Sequence, residues 1–185
     1  NFLALLGWSP GNDQELFTRE ELIAAFSLDG IASSNAVFNP EKLEWFSAQH
    51  IARMPAAELV RRIEPLLREA GLWPDDRAWL ARLVELLRPR AKRLTDFVEK
   101  GRPFLVDEVE YDEAAVKKHL SSPDALAHLA AVRDTCAAAG DFTAAALEPA
   151  LRALAEARGV KAGVLIHPTR VAVVGRAESP GIFEV

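Results

Sequence analysis

Asp75-Asp76-Arg77-Ala78-Trp79-Leu80-Ala81-Arg82-Leu83-Val84-Glu85-Leu86-Leu87-Arg88-Pro89-Arg90 is the stretch that decides the fold class. Trp79, Leu80, Leu83, Leu86 and Leu87 recur at helical spacing, which predicts a helix from about Asp75 with one apolar face. Pro89 lacks the N–H that a further turn would need, so the helix must stop before it. The same pattern of cap, apolar stripe and breaker repeats on both sides, and the chain reads as all-α.

Toward the N-terminus, Thr18-Arg19-Glu20-Glu21 has the form of a capping box, with Leu22, Ile23 and Phe26 following at helical spacing. Asn39-Pro40 places an N-cap before a proline at the first helical position, and Leu43, Trp45 and Phe46 carry that helix to about Met54. Pro55 opens the next helix, with Leu59, Ile63, Leu66 and Leu67 on one side. Pro65 is expected to kink it or to divide it in two, and Gly71 to end it. Toward the C-terminus, Thr95 to Lys100 predicts a short helix closed by Gly101-Arg102-Pro103. Phe104 to Tyr111 is an acidic connection and marks a subdomain boundary. Further helices are expected from Asp112 to about Leu120, from Ser122-Pro123 (as N-cap and first helical residue) to Gly140, and from Thr143 to Gly159. Val160 to Gly175 is rich in Val and Ile, and its pattern fits either a short hairpin or a helix followed by an extended turn. Ser179-Pro180-Gly181 is a turn signal, and Gly181 to Val185 has the look of a helix start.

Composition fits a globular chain of 185 residues, 50% hydrophobic and 26% charged. No apolar run approaches the roughly 20 residues that a membrane helix needs. Asn1 to Leu6 has no basic leader and no initiator Met, so the chain is expected to begin inside a longer protein. Cys136 is the single cysteine, expected as a small apolar core residue of a reducing compartment. The net charge of −5 is unevenly spread. Residues 1–50 hold 2 basic and 7 acidic side chains, residues 51–103 hold 12 and 8, and residues 104–185 hold 8 and 12. Within the last block, residues 158–177 contain Arg158, Lys161, Arg170 and Arg176 and no acid. Two local basic stretches suffice to bind phosphates even on an acidic chain, although solvated helix faces have the same composition.

Catalytic motifs are lacking. His50, His119, His128 and His167 are scattered, no Ser/His/Asp or Cys/His set stands out, and no glycine-rich phosphate loop follows a strand. Glu108, Glu110, Asp112 and Glu113 cluster, but their spacing matches no calcium loop and fits a solvated linker.

Four segments carry a resemblance to the bacterial glutamate–tRNA ligases along essentially the whole chain. Asn1-Phe2-Leu3-Ala4-Leu5-Leu6-Gly7-Trp8-Ser9-Pro10 resembles the segment after that family's catalytic domain, and Ala36 to Trp45 its stem-contact region. Leu86-Leu87-Arg88-Pro89-Arg90 is similar to a motif of its first anticodon-binding subdomain. Gly159 to Gly163, through Arg170 to Ser179-Pro180-Gly181-Ile182-Phe183-Glu184, looks like its C-terminal anticodon-binding element. The resemblance implies an all-α, two-lobed anticodon-binding region. Residues 1–52 would end a stem-contact domain, and 53–111 and 112–185 would form two helical subdomains. The family's HIGH and KMSKS-type signatures are not found, so no catalytic residue, and no ATP or magnesium site, is assigned to this chain; both belong to the full-length enzyme. The implied partner is the tRNA for glutamate, met by a cytoplasmic monomer with no DNA or membrane role.

By the same resemblance, Arg90 matches the arginine that reads the third anticodon base. A guanidinium only donates, so it suits O2 and N3 of cytosine and rejects the N1–H and N2–H donors of guanine. Arg170 matches a second loop-binding arginine. Ser179, Pro180 and Ile182 match a loop that packs on splayed bases, with Ser and Ile where the family often has Thr and Leu. Lys42 and Trp45 match stem-side positions, whereas Ala52 stands where some relatives have a basic residue. A helical protein-interaction module without RNA binding is the alternative; it would present an exposed apolar groove and no salt-sensitive RNA affinity.

Overall fold

The computed structural model describes residues 1–32 and 35–184. Ten α-helices and three short 3-10 turns make up the regular structure of the described residues. The first unit holds α1 (Phe2–Gly7), α2 (Arg19–Ala25) and the start of α3 (Pro40–Arg53). Phe2 packs edge-on against Phe38 at 5.3 Å and beside Phe46 of α3 at 5.9 Å. The one non-helical pairing among the described residues joins Trp8 to Ile31. Both expected caps are present. Thr18 accepts from the Glu21 N–H while Glu21 accepts from the Thr18 N–H, and Asn39 accepts from the N–H groups of Glu41 and Lys42.

The second unit is built on α4 (Ala56–Glu69), α5 (Arg77–Leu87) and α6 (Asp96–Gly101). Leu59, Ile63 and Leu67 of α4 meet Leu80, Leu83, Val84 and Leu87 of α5 in one core with Phe97 of α6. Ile51, near the end of α3, enters this core, so α3 is shared between the first two units. The third unit comprises α7 (Glu113–His119), α8 (Ala125–Ala138), α9 (Ala144–Ala157) and α10 (Ala162–Val174). Val132, Leu151, Ala155 and Leu165 form its core, with the half-buried Cys136 against it. No described helix is long and apolar enough to cross a membrane.

Some expectations change. α4 runs through Pro65 as one helix, so it is not divided there, and α9 runs through Pro149 as the expected Thr143–Gly159 helix does. Both prolines are exposed, so the carbonyls that lose an N–H partner can turn to water. α8 begins at Ala125, not at Ser122-Pro123; these two residues form a turn in which the Ala125 N–H bonds the Ser122 carbonyl at 3.0 Å. Residues 162–174 are helical and no hairpin forms. Leu165, Pro168, Val171 and Val174 are buried at a spacing of about one turn, and that periodicity outweighs the strand preference of the valines. Phe183 and its neighbours make a turn closed by the Glu184 N–H on the Gly181 carbonyl at 2.8 Å, and Val185 lies outside the described residues.

α10 ends at Gly175, whose φ of 76° is left-handed. A Cβ there would run into the Glu110 carbonyl and come within 2.7 Å of the Val109 side chain. The Gly175 carbonyl meanwhile accepts from the Asp112 N–H at 2.9 Å. Gly175→Ala is therefore expected to destabilise the chain by about 2–4 kcal/mol. Urea unfolding checks this, and an unchanged midpoint would contradict the packing described.

Candidate nucleic-acid interface

Pro89 decides where the first functional side chains emerge. With α5 stopped at Leu87, the chain makes a 3-10 turn over Arg88–Arg90 that sends its two arginines in different directions. Arg88 turns inward, its side chain 13% exposed. Its Nη1 donates to the carbonyls of Ile51 (3.1 Å), Ala52 (3.3 Å) and Met54, and its Nη2 stands 2.5 Å from Glu85 Oε1. The last carbonyls of a helix have no partner within it, so Arg88 serves as the cap of α3. Arg90 turns outward, 40% exposed, and among the described residues its guanidinium makes two long contacts, 3.3 Å to the Leu86 carbonyl and 3.3 Å to Glu184 Oε2.

α10 supplies the second group. Its apolar face is buried, Arg170 sits at the rim, and the Arg170 Nε is enclosed with no hydrogen-bond partner among the described residues. Arg170 Nη1 lies 3.4 Å from His167 Nδ1. The left-handed turn at Gly175 then carries Arg176 to Pro180 alongside α5 and α6. The result is a cavity of about 520 Å³ between the second and third units. Arg90 and Lys100 line it from one side, Arg170 and Arg176 from the other. Leu87, Pro103, Val174 and Pro180 provide apolar walls, and Ser179 and Glu178 complete the rim. Its size falls in the range of about 300–1,000 Å³ typical of small-molecule sites. Donor-only cations beside apolar walls can accept a planar, acceptor-bearing ring and its phosphate.

Residues 58–185 fit the family model described as an anticodon binding domain. The chain belongs to the anticodon-binding-domain family. A glutamate–tRNA ligase of Desulforudis audaxviator (strain MP104C) is 41% identical over all of this chain, which covers 38% of that relative. Glutamate–tRNA ligase 2 of Koribacter versatilis (strain Ellin345) is 43% identical, again over the whole chain and 39% of the relative. The glutamate tRNA ligase of Elizabethkingia meningosepticum, solved in complex with its amino acid, superposes with a TM-score of 0.84 at 27% identity. That alignment covers 98% of this chain and 36% of the other. The anticodon-binding chain thus spans about two-fifths of the curated relatives it matches.

Of the residues singled out by sequence, Arg90, Arg170, Ser179 and Pro180 meet in the cavity of the anticodon-binding chain. Ile182 is half-buried next to it and does not line it. Ser179 Oγ donates to the Pro180 carbonyl at 2.8 Å. Lys42 and Trp45 lie elsewhere, on α3. Lys42 pairs with Glu15 at 2.7 Å and sits over the Phe46 ring, while Trp45 leaves 42% of its surface exposed and packs edge-on against Phe46. The two surfaces are linked by Glu44, which faces Lys92 at 3.4 Å and Arg93 at 3.6 Å. Sequence reasoning missed Lys100 and Arg176 as cavity residues. The acid-free run 158–177 contained a signal for Arg176; nothing in the local pattern distinguished Lys100.

Behind Arg170, the His119 ring of α7 stacks on His167 of α10, with centroids 5.3 Å apart. Burial, then the charges of His167, Lys118 and Arg170, hold His119 below its ordinary pKa. His50, within 3.0 Å of Asn1 Oδ1, is lowered too, by burial, the N-terminus and Arg53. A histidine lowered by folding takes up its proton more readily when unfolded, so the stability it lends is present above about pH 6.5 and lost as pH falls below it. The thermal midpoint is expected to drop between pH 7.5 and pH 5.5, and His119→Gln to remove part of that drop, His50 retaining the rest. An equal drop in the variant would exclude His119 as a contributor.

Proposed function

We propose that this chain is the anticodon-reading region of a glutamate–tRNA ligase and that the cavity between its second and third units takes the anticodon of the tRNA for glutamate. The observation that carries the proposal is the convergence of Arg90 and Lys100 with Arg170 and Arg176, from segments far apart in sequence, around apolar walls. Single-stranded RNA is read this way, by packing on splayed bases and by donors to their edges. Arg90, held loosely at two long contacts, is free to exchange the Glu184 carboxylate for the acceptor edge of cytosine. A guanine in that place would leave donors facing donors, at a cost of roughly 1–3 kcal/mol for an unpaired buried group. Arg170 and the Ser179–Pro180 turn hold neighbouring parts of the loop; Ile182 supports that turn. Lys42 and Trp45 on α3 face the stem.

Joining glutamate to its tRNA with ATP and magnesium is then the work of the rest of the enzyme, and this chain supplies specificity. It acts as a monomer in the cytoplasm, one chain to one tRNA. The convergent charge and the family match both favour this role over a helical interaction module.

Binding of anticodon stem–loops with C or G as the third anticodon base, at low salt, tests the reading. A preference for C of about five- to a hundredfold is expected from the cost of the unpaired donors. Arg90→Gln should remove that preference. Arg176→Ala should weaken both loops equally and lower the salt slope by roughly 0.7–0.9. Equal binding of both loops by the unaltered chain would refute the assignment of Arg90.

A further inference from the structure

Among the described residues the Arg90 guanidinium meets two contacts, both at 3.3 Å, so its direction depends in large part on its own main chain. That main chain is held by one carboxylate. Asp96, at the start of α6, is 7% exposed and is the one buried acid among the described residues. Its Oδ2 accepts from the N–H of Lys92 at 2.8 Å and from that of Arg93 at 3.4 Å. Lys100, one turn further along, stands 3.6 Å from the same oxygen, and its Nζ also donates to the carbonyl of Arg90. Arg93 Nε approaches the other oxygen at 3.8 Å. The acid therefore grips the backbone just after Arg90 directly, and the carbonyl of Arg90 itself through Lys100.

Burying a carboxylate is costly unless it is fully partnered, and an apolar residue of similar volume would often hold a core as well or better. What the carboxylate adds is direction. We propose that Asp96 is a positioning residue for anticodon discrimination: it fixes the main chain of residues 90–93 so that the Arg90 side chain crosses the cavity in the one orientation that tells cytosine from guanine. The proposal rests on the reading of Arg90 given above.

Two readouts test it on the whole chain. Amide hydrogen exchange of the free protein should find Lys92 protected, unprotected in Asp96→Ala, and partly protected in Asp96→Asn, which keeps an acceptor oxygen. An unprotected Lys92 in the unaltered chain would overturn the proposal without any RNA. With the two stem–loops, Asp96→Ala should cut the preference for C by about five- to tenfold, the scale of one ordinary hydrogen bond. Asp96→Asn should fall between, and either substitution should add nothing in an Arg90→Gln background. Equal weakening of both loops, persisting in that background, would mean a structural role only and sink the proposal. Should Asp96→Ala fail to fold, Asp96→Asn carries the same comparison. Discrimination absent from the unaltered chain overturns the Arg90 reading and this proposal together; discrimination present there and intact in the Asp96 variants overturns this proposal alone.

Discussion

The seam between α4 and α5 is the constraint on which the site depends. Leu59, Ile63 and Leu67 close against Leu80, Leu83, Val84 and Leu87, all 6% exposed or less. Each such side chain contributes about 1.5–3 kcal/mol of burial, and the row together fixes the rotation of α5 about its axis. Leu87 is the last of the row and also a wall of the cavity. Since α5 gives way at Leu87 to the 3-10 turn over Arg88–Arg90, the place where the seam ends is the place where Arg90 leaves the helix. Arg88 then ties that same point to α3 through the carbonyls of its last turn. One short motif thereby joins two units with one arginine and faces outward with the other.

The other half of the site depends on how α10 ends. Gly175 turns the chain where any side chain would strike the segment around Glu110, and the same turn bonds Asp112 at the start of α7. Arg176 to Pro180 are thereby placed opposite α5 and α6. A chain with a net charge of −5 gathers Arg90, Lys100, Arg170 and Arg176 around one cavity, so its local field there is opposite in sign to its total. The acids that balance them, Glu178 and Glu184, lie at the edge and are exposed.

Much of this was legible from local chemistry. Thr18, Asn39 and Thr143 start helices because their side chains satisfy N–H groups left open at the first turn, which is a matter of a few adjacent residues. Gly71 and Gly159 stop helices for an equally local reason. The effect of Pro65 on its helix was not legible. Pro65 and Pro149 are tolerated because they face solvent, and Pro168 because a buried face spaced by helical turns holds α10 together around it. The face a residue presents is known only once its neighbours are placed. The valine-rich stretch 160–174 was undecided for the same reason.

An all-α chain, the approximate span of most helices, and the arginines and turn residues that resemble an anticodon-reading set are written in the order of residues. Those follow from caps, breakers, spacing and short motifs, which act over a few residues. It takes the packed helices to bring Arg90, Arg170, Ser179 and Pro180 into one cavity, to add Lys100 and Arg176 to them, to consume Arg88 as a helix cap, and to leave Lys42 and Trp45 on another surface. Convergence of that kind is set by the rotation and ending of helices packed across two separate cores, and no pairwise spacing along the chain encodes it.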